Sequence, residues 1–473
     1  MTNDRIPKRE KIPASLCLVI EYWVLMINWS LVIGDWLFLD LLLPMLYKLS
    51  MRFIADLHIH SSYSRATSKD MVPEALWKWA QIKGITVVGT GDFTHPAWLK
   101  ELSEKTEPTG NGLLRLKKEY ETDDIPASCR ADVFFMFSSE ISTIYSKNGR
   151  TRKVHSVIFV PDLSDALRIN LALSKIGNLN ADGRPILGLD VKELLRIVLD
   201  TCPGALFVPA HAWTPHFSVF GAVSGFDSLE ECFEDLTPHI NAIETGLSSD
   251  PMMNWRLSAL DRLTLISNSD AHSPAKMGRE ANIFDTTISY EAITKAIESG
   301  NGFLGTIEFF PEEGKYHYDG HRACNVNLSP DETARHNYLC PACGKKVTVG
   351  VLHRVNKLAD RPDGFRPDNA KPFHSLIPLP EVIAETMGTG AAGKRVNREY
   401  QQLIHLLGNE FRILMDTPLP DIEKAGSPLI REAVSRMRAG KVHIIPGFDG
   451  EYGKIRIFEN TERKQIKGQT TLF

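Results

Sequence analysis

The feature of this sequence that most constrains its fold is a series of seven short hydrophobic segments, most of them closely followed by a histidine or a carboxylate. The segments are rich in Val, Ile and Phe, and helical patterns separate many of them. They lie at 53–60, 85–91, 132–141, 153–161, 205–211, 241–245 and 263–269. Such alternation is typical of parallel βα units, and seven units predict a closed or nearly closed α/β barrel.

Metal-ligating residue types lie at the ends of these predicted strands. In a βα barrel the functional side chains come from the carboxyl ends of the strands. His58 and His60 are two residues apart, as are Asp270 and His272, so on a strand each pair points to one face and can chelate one ion. The full set of candidate ligands is His58, His60, Asp92, Glu140, His155, His211, Asp270 and His272.

This ligand set indicates a hydrolytic centre with more than one divalent ion. Mixed imidazole and carboxylate ligands suit Zn, Mn or Fe, and Glu140 is the predicted bridge between the ions. Ions of this kind promote the attack of water on a phosphodiester. We therefore predict Asp270 and Glu140 as catalytic residues, with Arg65, just after the first strand, as a candidate phosphate clamp.

A separate group of soft ligands follows the predicted barrel. Cys340 and Cys343 have the spacing of a zinc knuckle, and His321 and Cys324 supply a second pair at the same spacing. Four such ligands predict a closed, tetrahedral structural zinc site, in which His353 is an alternative to His321. The alternative is a set of buried free cysteines.

The first fifty residues differ from the rest in composition. Residues 16–49 are rich in Leu, Ile, Trp and Met, but the longest uncharged run, 22–34, has 13 residues, which is short for a spanning helix. The basic residues before it would also direct residues 51–473 outward. We expect translation to start at Met51 or the extension to be dispensable, and consider a membrane anchor the weaker alternative.

Composition excludes several protein classes. The chain has 54 basic and 58 acidic residues, which excludes binding of nucleic acid by overall basic charge but permits a local basic groove. Seven cysteines in 473 residues do not form a disulfide framework. This cysteine usage fits a reducing compartment, and we expect a cytoplasmic protein.

The last part of the chain predicts helices and a short tail. Amphipathic patterns at 381–388, 397–407 and 428–439 predict a packed helical domain. The terminal residues Gln469, Leu472 and Phe473 are typical of short peptides that dock on a sliding clamp, with a plain disordered tail as the alternative. The predicted divisions of the chain are 1–50, 51–305, 306–361, 362–460 and 461–473.

Several motifs resemble those of a known family. The stretches around His58–Ser61, Gly89–Asp92, Ser139–Glu140 and Ser269–His272 are similar to motifs of the polymerase and histidinol phosphatase (PHP) superfamily. The longer stretches 89–96, 138–142, 209–215, 244–250, 267–274 and 309–317 resemble the endonuclease Q family of DNA-repair enzymes.

The resemblance implies both a fold and an activity. The fold is a PHP-type distorted (β/α)7 barrel followed by a small zinc-binding domain and a mainly helical C-terminal domain. The barrel would hold two or three divalent ions (Zn, Mn or Mg) at its catalytic site. The activity is a nick on the 5′ side of deaminated bases (uracil, hypoxanthine or xanthine) or abasic sites in DNA. The damaged nucleotide would be turned out of the stack, with Trp213 and Phe217 as candidate stacking residues.

Two positions depart from the superfamily pattern. Ala66 stands where many members carry a further ligand, and Phe93 follows Asp92 where His is usual, with His95 displaced by two. The main alternative is a small-molecule phosphatase of the histidinol-phosphate kind, which would need neither the zinc site nor the tail. An amidohydrolase fits the motifs less well, and a non-enzymatic adaptor would be expected to have lost several ligands.

Overall fold

The computed structural model describes residues 51–459 and 462–463. The predictions on residues 1–50 and on the terminal peptide from Gln469 to Phe473 lie outside the described residues. The described part is a mixed α/β structure, and none of its helices combines the length and hydropathy needed to cross a bilayer.

Seventeen strands are present in the described part of the chain. They are β1 (Met51–Asp56), β2 (Val87–Gly89), β3 (Thr106–Pro108), β4 (Leu114–Leu116), β5 (Phe134–Lys147), β6 (Arg150–Val160), β7 (Ile186–Leu187), β8 (Leu206–Pro209), β9 (Ala242–Glu244), β10 (Thr264–Ile266), β11 (Ala281–Thr286), β12 (Phe303–Glu308), β13 (Asp319–His321), β14 (Val326–Leu328), β15 (Phe373–Ser375), β16 (His443–Ile445) and β17 (Lys454–Arg456). Each of the seven predicted strand segments overlaps one of these strands.

Thirteen α-helices accompany the strands in the same residues. They are α1 (Pro73–Lys83), α2 (Pro96–Lys105), α3 (Leu163–Leu173), α4 (Val191–Thr201), α5 (Leu229–Phe233), α6 (Pro251–Asn254), α7 (Tyr290–Ser299), α8 (Pro330–Arg335), α9 (Val351–Leu358), α10 (Leu379–Met387), α11 (Lys394–Leu407), α12 (Leu419–Ala425) and α13 (Pro428–Arg438). The three predicted helices of the C-terminal region all appear within three residues of their expected bounds.

Local sequence explains where these helices begin and end. The side chain of Asp190 caps α4 by accepting from the backbone N–H of Lys192, which satisfies a donor that the first turn leaves unpaired. Leu194, Leu195 and Val198 then face the interior from one side of the helix. Helix α7 ends where Gly300 adopts the left-handed conformation, which glycine takes without a steric penalty.

The strands that carry the candidate ligands are hydrogen-bonded in two groups, one that runs from β1 to β8 and one that consists of β9 and β10. Strand β1 pairs in parallel with β2, and β2 with β5. Strand β5 pairs with β6, and β6 with β8. Strands β9 and β10 pair in parallel, and Ile59, just after β1, forms a parallel bridge with Ala271, just after β10. The first and last of these strands therefore meet at the candidate ligands His58, His60 and Asp270.

The prediction of uniformly parallel βα units is wrong at β5 and β6. These strands form a long antiparallel hairpin, and β6 is also antiparallel to β8. The turn consists of Asn148 and Gly149, both with positive φ. An Asn-Gly pair between two hydrophobic runs favours a two-residue hairpin, so the sequence contained the signal for this reversal.

The C-terminal helices share a hydrophobic core with the strand region. One buried cluster continues from residues such as Val88 and Phe135 to Val382, Leu403 and Val434. Strand β15 also extends the main sheet by pairing in parallel with β12, and β12 spans the predicted boundary at residue 305. Each large apolar side chain buried there contributes about 1.5–3 kcal/mol to stability, so the strands and these helices stabilise each other.

Candidate metal centre

The centre begins with the backbone pairing of two short ligand segments. The N–H of Asp270 donates to the carbonyl of His58 at 2.9 Å, and the N–H of His60 donates to the carbonyl of Ala271 at 3.0 Å. This register brings the side chains of His58, His60 and Asp270 together. With Glu140 from the middle of β5 they form the first ligand group, whose ligand atoms lie within 4.8 Å of one another.

Glu140 also belongs to a second ligand group. Its Oε1 lies 2.6 Å from Nδ1 of His155, on β6, and 3.0 Å from Nε2 of His211, just after β8. Its Oε2 faces the first ligand group instead, 3.3 Å from Nε2 of His60 and 3.7 Å from Nε2 of His58. One carboxylate therefore directs its two oxygens to two adjacent ligand groups, as a bridging ligand does.

Unpaired buried atoms in the first ligand group fit a metal ion. Nε2 of His58, Nε2 of His60 and Oδ1 of Asp270 are buried and form no hydrogen bond of good geometry among the described residues, although Nε2 of His60 and Oδ1 of Asp270 lie 3.0 Å apart. Buried polar atoms are almost always hydrogen-bonded, and those left over mark a strained, catalytic or ion-binding position. Two imidazole nitrogens and carboxylate oxygens form a donor set that suits Zn or Mn.

Two further carboxylates orient the histidines of the first ligand group. Oδ1 of Asp92 lies 3.1 Å from Nδ1 of His60, and Oε1 of Glu244 lies 3.0 Å from Nδ1 of His58. In each case Nδ1–H donates to the carboxylate, which leaves Nε2 free to ligate. The structure therefore places Asp92 behind His60 instead of among the predicted ligands. Glu244, at the end of β9, has the same position behind His58.

Hydrogen bonds hold these orienting carboxylates in turn. Oδ2 of Asp92 accepts from the backbone N–H of Ser61 and from the hydroxyls of Ser61 and Ser64. Glu244 accepts from the backbone N–H of His211 and the side-chain amide of Asn268. The two histidine rings therefore have little rotational freedom before any ion binds.

The electrostatics of the centre favour ionised carboxylates. Burial raises the pKa of Glu140, but the charges of His155 and Arg184 lower it by more, together with hydrogen bonds from His155 and His211. The pKa therefore lies well below its ordinary value. Burial lowers the pKa of His58, but the carboxylates of Glu244 and Glu140 raise it by more. The pKa of His58 therefore lies well above its ordinary value. Protons on the histidine rings balance the negative charge of the carboxylates in the ion-free centre. Because a metal ion binds a deprotonated nitrogen, metal binding would release these protons.

Three of the predicted ligands have unusual backbone conformations. Asp92, His211 and Asp270 have φ values of 50°, 27° and 47°. Non-glycine residues seldom adopt positive φ, and such strain is concentrated at functional sites because the surrounding structure must maintain it. Asp270 and His211 belong to the two ligand groups and Asp92 lies behind His60, which supports their assignment to one functional centre.

The structure places several other predicted residues beside the centre or away from it. His272 stacks at a tilt on His60, with ring centroids 4.5 Å apart, and stays outside both ligand groups. His95 contacts the carbonyl of Asn180. Trp213 is fully buried and donates to Asn254, so it is a core residue in this structure. Phe217 is half-buried and packs against His155, with the two ring centroids 4.7 Å apart.

The predicted phosphate clamp lies apart from the ligand groups, and a different arginine reaches them. The side chain of Arg65 is 77% exposed and pairs with Asp182. Arg184, which the sequence analysis did not identify, donates from Nη1 to Oε2 of Glu140 at 3.0 Å. Arg184 belongs to no recognisable motif, and only its position just before β7, which pairs with the Glu140 strand, could have identified it.

The predicted zinc ligands are brought together in a separate place. His321, Cys324, Cys340 and Cys343 have ligand atoms within 4.8 Å of one another. Gly344 turns the chain with a φ of 69°, and its N–H donates to the carbonyl of Cys340. Burial raises the pKa of Cys340, but backbone N–H groups of Ala342 and Cys343 outweigh it and lower the pKa to about 7. This favours the thiolate, which is the form that binds zinc.

His353, the alternative zinc ligand, has another partner. Its Nδ1 lies 2.7 Å from Oδ2 of Asp319, and its ring packs against Tyr338. Among the basic residues near this site, Arg354 is buried and donates to two backbone carbonyls and Asp227. Arg361 pairs with Asp261. These two arginines connect the segment to residues 220–261.

The chain is similar to several known proteins. Residues 378–441 match the family model described as the MJ0043 C-terminal domain. The chain is 34% identical to the MJ0043 protein of Methanocaldococcus jannaschii over 256 residues, which covers 52% of this chain and 31% of that protein. It is 27% identical to YqxK of Bacillus subtilis over 420 residues, covering 86% of this chain and 99% of YqxK. The first match thus spans about a third of the relative's length.

Two solved structures are similar over most of the chain. One is the lesion-specific endonuclease PfuEndoQ from Pyrococcus furiosus, with a TM-score of 0.76 and 31% identity, covering 89% of this chain and 99% of that one. The other is endonuclease Q in complex with a 27-mer duplex that has an abasic lesion at the active site, with a TM-score of 0.74 and 31% identity, covering 86% and 97%. Similarity of this extent shows that the chain belongs to the endonuclease Q family.

Proposed function

We propose that this chain is a metal-dependent DNA-repair endonuclease that hydrolyses the phosphodiester on the 5′ side of a damaged nucleotide. The observation that carries the proposal is Glu140, whose two oxygens face two adjacent ligand groups around unpaired buried atoms. Two ions a few ångströms apart stabilise the attacking and leaving oxygens of a phosphoryl group.

Damaged DNA is the substrate that family membership supports. PfuEndoQ is lesion-specific, and the complexed endonuclease Q holds an abasic lesion at its active site. We extend this to uracil, hypoxanthine and xanthine, since weakly paired bases cost less to turn out of the stack. Phe217, half-buried beside His155, is better placed than the buried Trp213 to contact such a nucleotide.

Each residue of the centre has a distinct role in this proposal. His58, His60 and Asp270 would hold one ion, His155 and His211 a second, and Glu140 both. Asp92 and Glu244 keep the rings of His60 and His58 in the tautomer that presents Nε2. When bound, divalent ions polarise the phosphoryl group and lower the pKa of water. His272, beside His60 and partly exposed, remains a candidate ligand for a third ion.

The architecture follows from the same proposal. We assign a distorted seven-stranded barrel to residues 51–305, a zinc-binding domain to 306–361 and a helical domain to 362–460. The His321 and Cys324 pair with Cys340 and Cys343 would hold a structural zinc ion. All six described cysteines are free, which supports a reducing, cytoplasmic compartment.

The terminal peptide with Gln469, Leu472 and Phe473 is proposed to dock on a sliding clamp. The test is nicking of lesion-containing circular DNA with and without loaded clamp from the source cell. The clamp should stimulate the full chain and have no effect on a chain that ends at residue 468. Equal stimulation of both chains would refute the assignment.

The decisive test of the enzyme proposal uses the full chain, stripped of metal by chelation and restored with Mg, Mn or Zn. Labelled duplexes carry one deoxyuridine, one deoxyinosine, one abasic site or no lesion. We expect metal-dependent nicking on the 5′ side of the lesions, loss of nicking in Asp270→Ala, and unchanged nicking in Asp200→Ala, which removes an exposed carboxylate from α4.

The same assay distinguishes the phosphatase alternative. A small phosphomonoester is offered to each metal-loaded preparation. Release of phosphate without cleavage of any duplex would contradict the endonuclease proposal and support a small-molecule phosphatase.

A further inference from the structure

Residues 180–185, here called the strap, cross the metal centre and are anchored on both sides of Arg184. The N–H of Gly183 donates to the carbonyl of Tyr63 at 3.0 Å, and the carbonyl of Gly183 accepts from the hydroxyl of Thr94. The carbonyl of Pro185 accepts from the N–H of Ser142 at 3.0 Å. The backbone around Arg184 is therefore held against three segments that surround the centre.

Close packing under the strap fixes its height above the centre. A Cβ atom at Gly183 would lie 2.3 Å from Oδ2 of Asp92 and 2.4 Å from Oγ of Ser64. Any larger residue would lift the strap from the carboxylate that orients His60. The close approach brings the next residue, Arg184, within reach of Glu140.

The guanidinium of Arg184 has spare hydrogen-bonding capacity at the mouth of the centre. Its side chain is 29% exposed. Glu140 is the only acceptor that it has among the described residues. A guanidinium carries five N–H donors in a planar fork that matches two oxygens of a phosphate. Most of these donors are thus unused in the ion-free centre.

The acceptor that Arg184 uses is also the oxygen that faces the first ligand group. Within the described residues, Arg184 is the one Lys or Arg that forms an ion pair with a carboxylate of either ligand group. The Nε of Arg65, by contrast, lies 3.2 Å from Oδ2 of Asp182. A single fixed cation beside the ligand groups is therefore available to an anionic substrate.

We propose that Arg184 is the phosphate-binding residue of the centre, and that its guanidinium binds the non-bridging oxygens of the scissile phosphodiester. This inference rests on the proposed function for the identity of the substrate, but the binding of a phosphoryl group by Arg184 does not depend on DNA. The strap delivers the residue, and Glu140 holds its side chain at the mouth of the centre until the substrate arrives.

The first measurement is calorimetric binding of inorganic phosphate to the full chain loaded with Mn²⁺. Arg184→Ala should weaken binding at least tenfold while the ion content by mass spectrometry stays unchanged. Arg196→Ala, which removes an arginine that pairs with Glu193 on α4, should bind as the parent does. Parent-like affinity in Arg184→Ala, or loss of an ion from it, would overturn the assignment.

The second measurement is single-turnover nicking of the abasic duplex. Arg184→Ala should lose at least about 100-fold in rate, the usual effect of removing a donor to a developing oxyanion. Added guanidinium ion should restore part of the rate to Arg184→Ala but not accelerate the parent. A rate loss that guanidinium fails to restore would indicate a structural role and contradict the proposal.

The two measurements separate the inference from the function on which it rests. Phosphate binding that depends on Arg184 in a chain that nicks no duplex would sink the endonuclease proposal and leave the residue assignment standing. Lesion-dependent nicking that is equal in the parent and in Arg184→Ala would support the endonuclease proposal and contradict the assignment of Arg184.

Discussion

At the scale of single residues, the centre separates the atoms that face an ion from the atoms that hold them in place. His60 presents Nε2 to the first ligand group while Asp92 accepts from its Nδ1–H. His58 and Glu244 repeat the arrangement. Carboxylates that orient a ligand in this way change the metal affinity without contacting the ion.

Replacement of Asp92 tests this division. Asp92→Asn keeps an acceptor for His60 but removes the charge, so we expect metal affinity or nicking rate to fall about 10–100-fold. The number of ions bound at saturating metal should not change. Competition with a chelator gives the affinity, and mass spectrometry gives the stoichiometry. One ion fewer in Asp92→Asn would show that Asp92 is a ligand.

The sequence predicted well which residues lie at the centre. It predicted less well which atoms each of these residues contacts. The two-residue spacing of His58 and His60 is enough to place both on one side of a strand. The position of Asp92 depends on its backbone, whose φ of 50° turns the side chain behind His60. No periodicity encodes that turn, and the approach of Arg184 depends on packing under Gly183.

At the scale of elements, the strap is sensitive to one methyl group. Gly183→Ala places a Cβ against Asp92 and Ser64, so we expect the free energy of unfolding to fall by about 1–3 kcal/mol, as overpacking typically costs. Nicking should fall as well, because Arg184 moves with the strap.

Gly188→Ala is the matched control for that substitution. A Cβ at Gly188 meets nothing within 4 Å, so stability and activity should stay within error of the parent. Urea unfolding and single-turnover nicking measure the two quantities. Equal behaviour of the two alanine variants would show that the strap has room to adjust.

Strand β12 carries a buried acid that makes stability depend on pH. Burial raises the pKa of Glu308 from 4.5 to about 8, although the hydroxyls of Thr306, Thr245 and Ser267 donate to it and lower the pKa. Between these values the folded chain holds a proton that the unfolded chain has released. The free energy of unfolding therefore falls as pH rises from about 5 to 8, by up to about 1.4 kcal/mol per pH unit.

Glu308→Gln should remove this contribution, because an amide does not ionise. Relative to the parent, the variant should gain stability between pH 6 and pH 8 in urea unfolding. Glu298→Gln, at an exposed position of α7, should retain the parent's pH dependence. An identical pH slope in the parent and Glu308→Gln would contradict the shifted pKa.

The elements themselves were largely predictable, because hydrophobic runs of the right length determine them locally. Whether neighbouring strands run parallel or antiparallel was less predictable. The Asn148 and Gly149 turn was legible, yet the expectation of repeated βα units concealed it. The pairing of β12 with β15 joins segments about 70 residues apart, and neither three-residue β15 nor its register has a local signature.

At the scale of the whole molecule, the zinc-ligand segment connects distant parts of the chain. Asp449 accepts from the N–H of Arg322 and from the hydroxyl of Thr348. The N–H of Tyr318 donates to the carbonyl of Gly447. Residues near 320, 348 and 449 are thereby tied around one small group of ligands, whose closed geometry stabilises structure without catalysis.

Substitution of the two candidate histidines identifies the fourth ligand. His321→Ala should lose one zinc ion per chain, because His321 lies 3.5 Å from Cys343 within the ligand group. His353→Ala should keep it, because His353 is hydrogen-bonded to Asp319. Native mass spectrometry counts the ions. The opposite pattern would assign His353 to the zinc.

The position of β1 has a consequence for how the chain is made. Its neighbours are β2, which follows within the next 40 residues, and β11, in which Thr286 pairs with Met51. Ribosomes add about 5–20 residues per second, so about 12–47 s separate the synthesis of these two paired residues. For that interval the nascent strand has an unpaired edge, and His58 and His60 lack Asp270. The metal centre can therefore assemble only late in translation, and a chaperone that covers this edge would have most effect before β11 emerges.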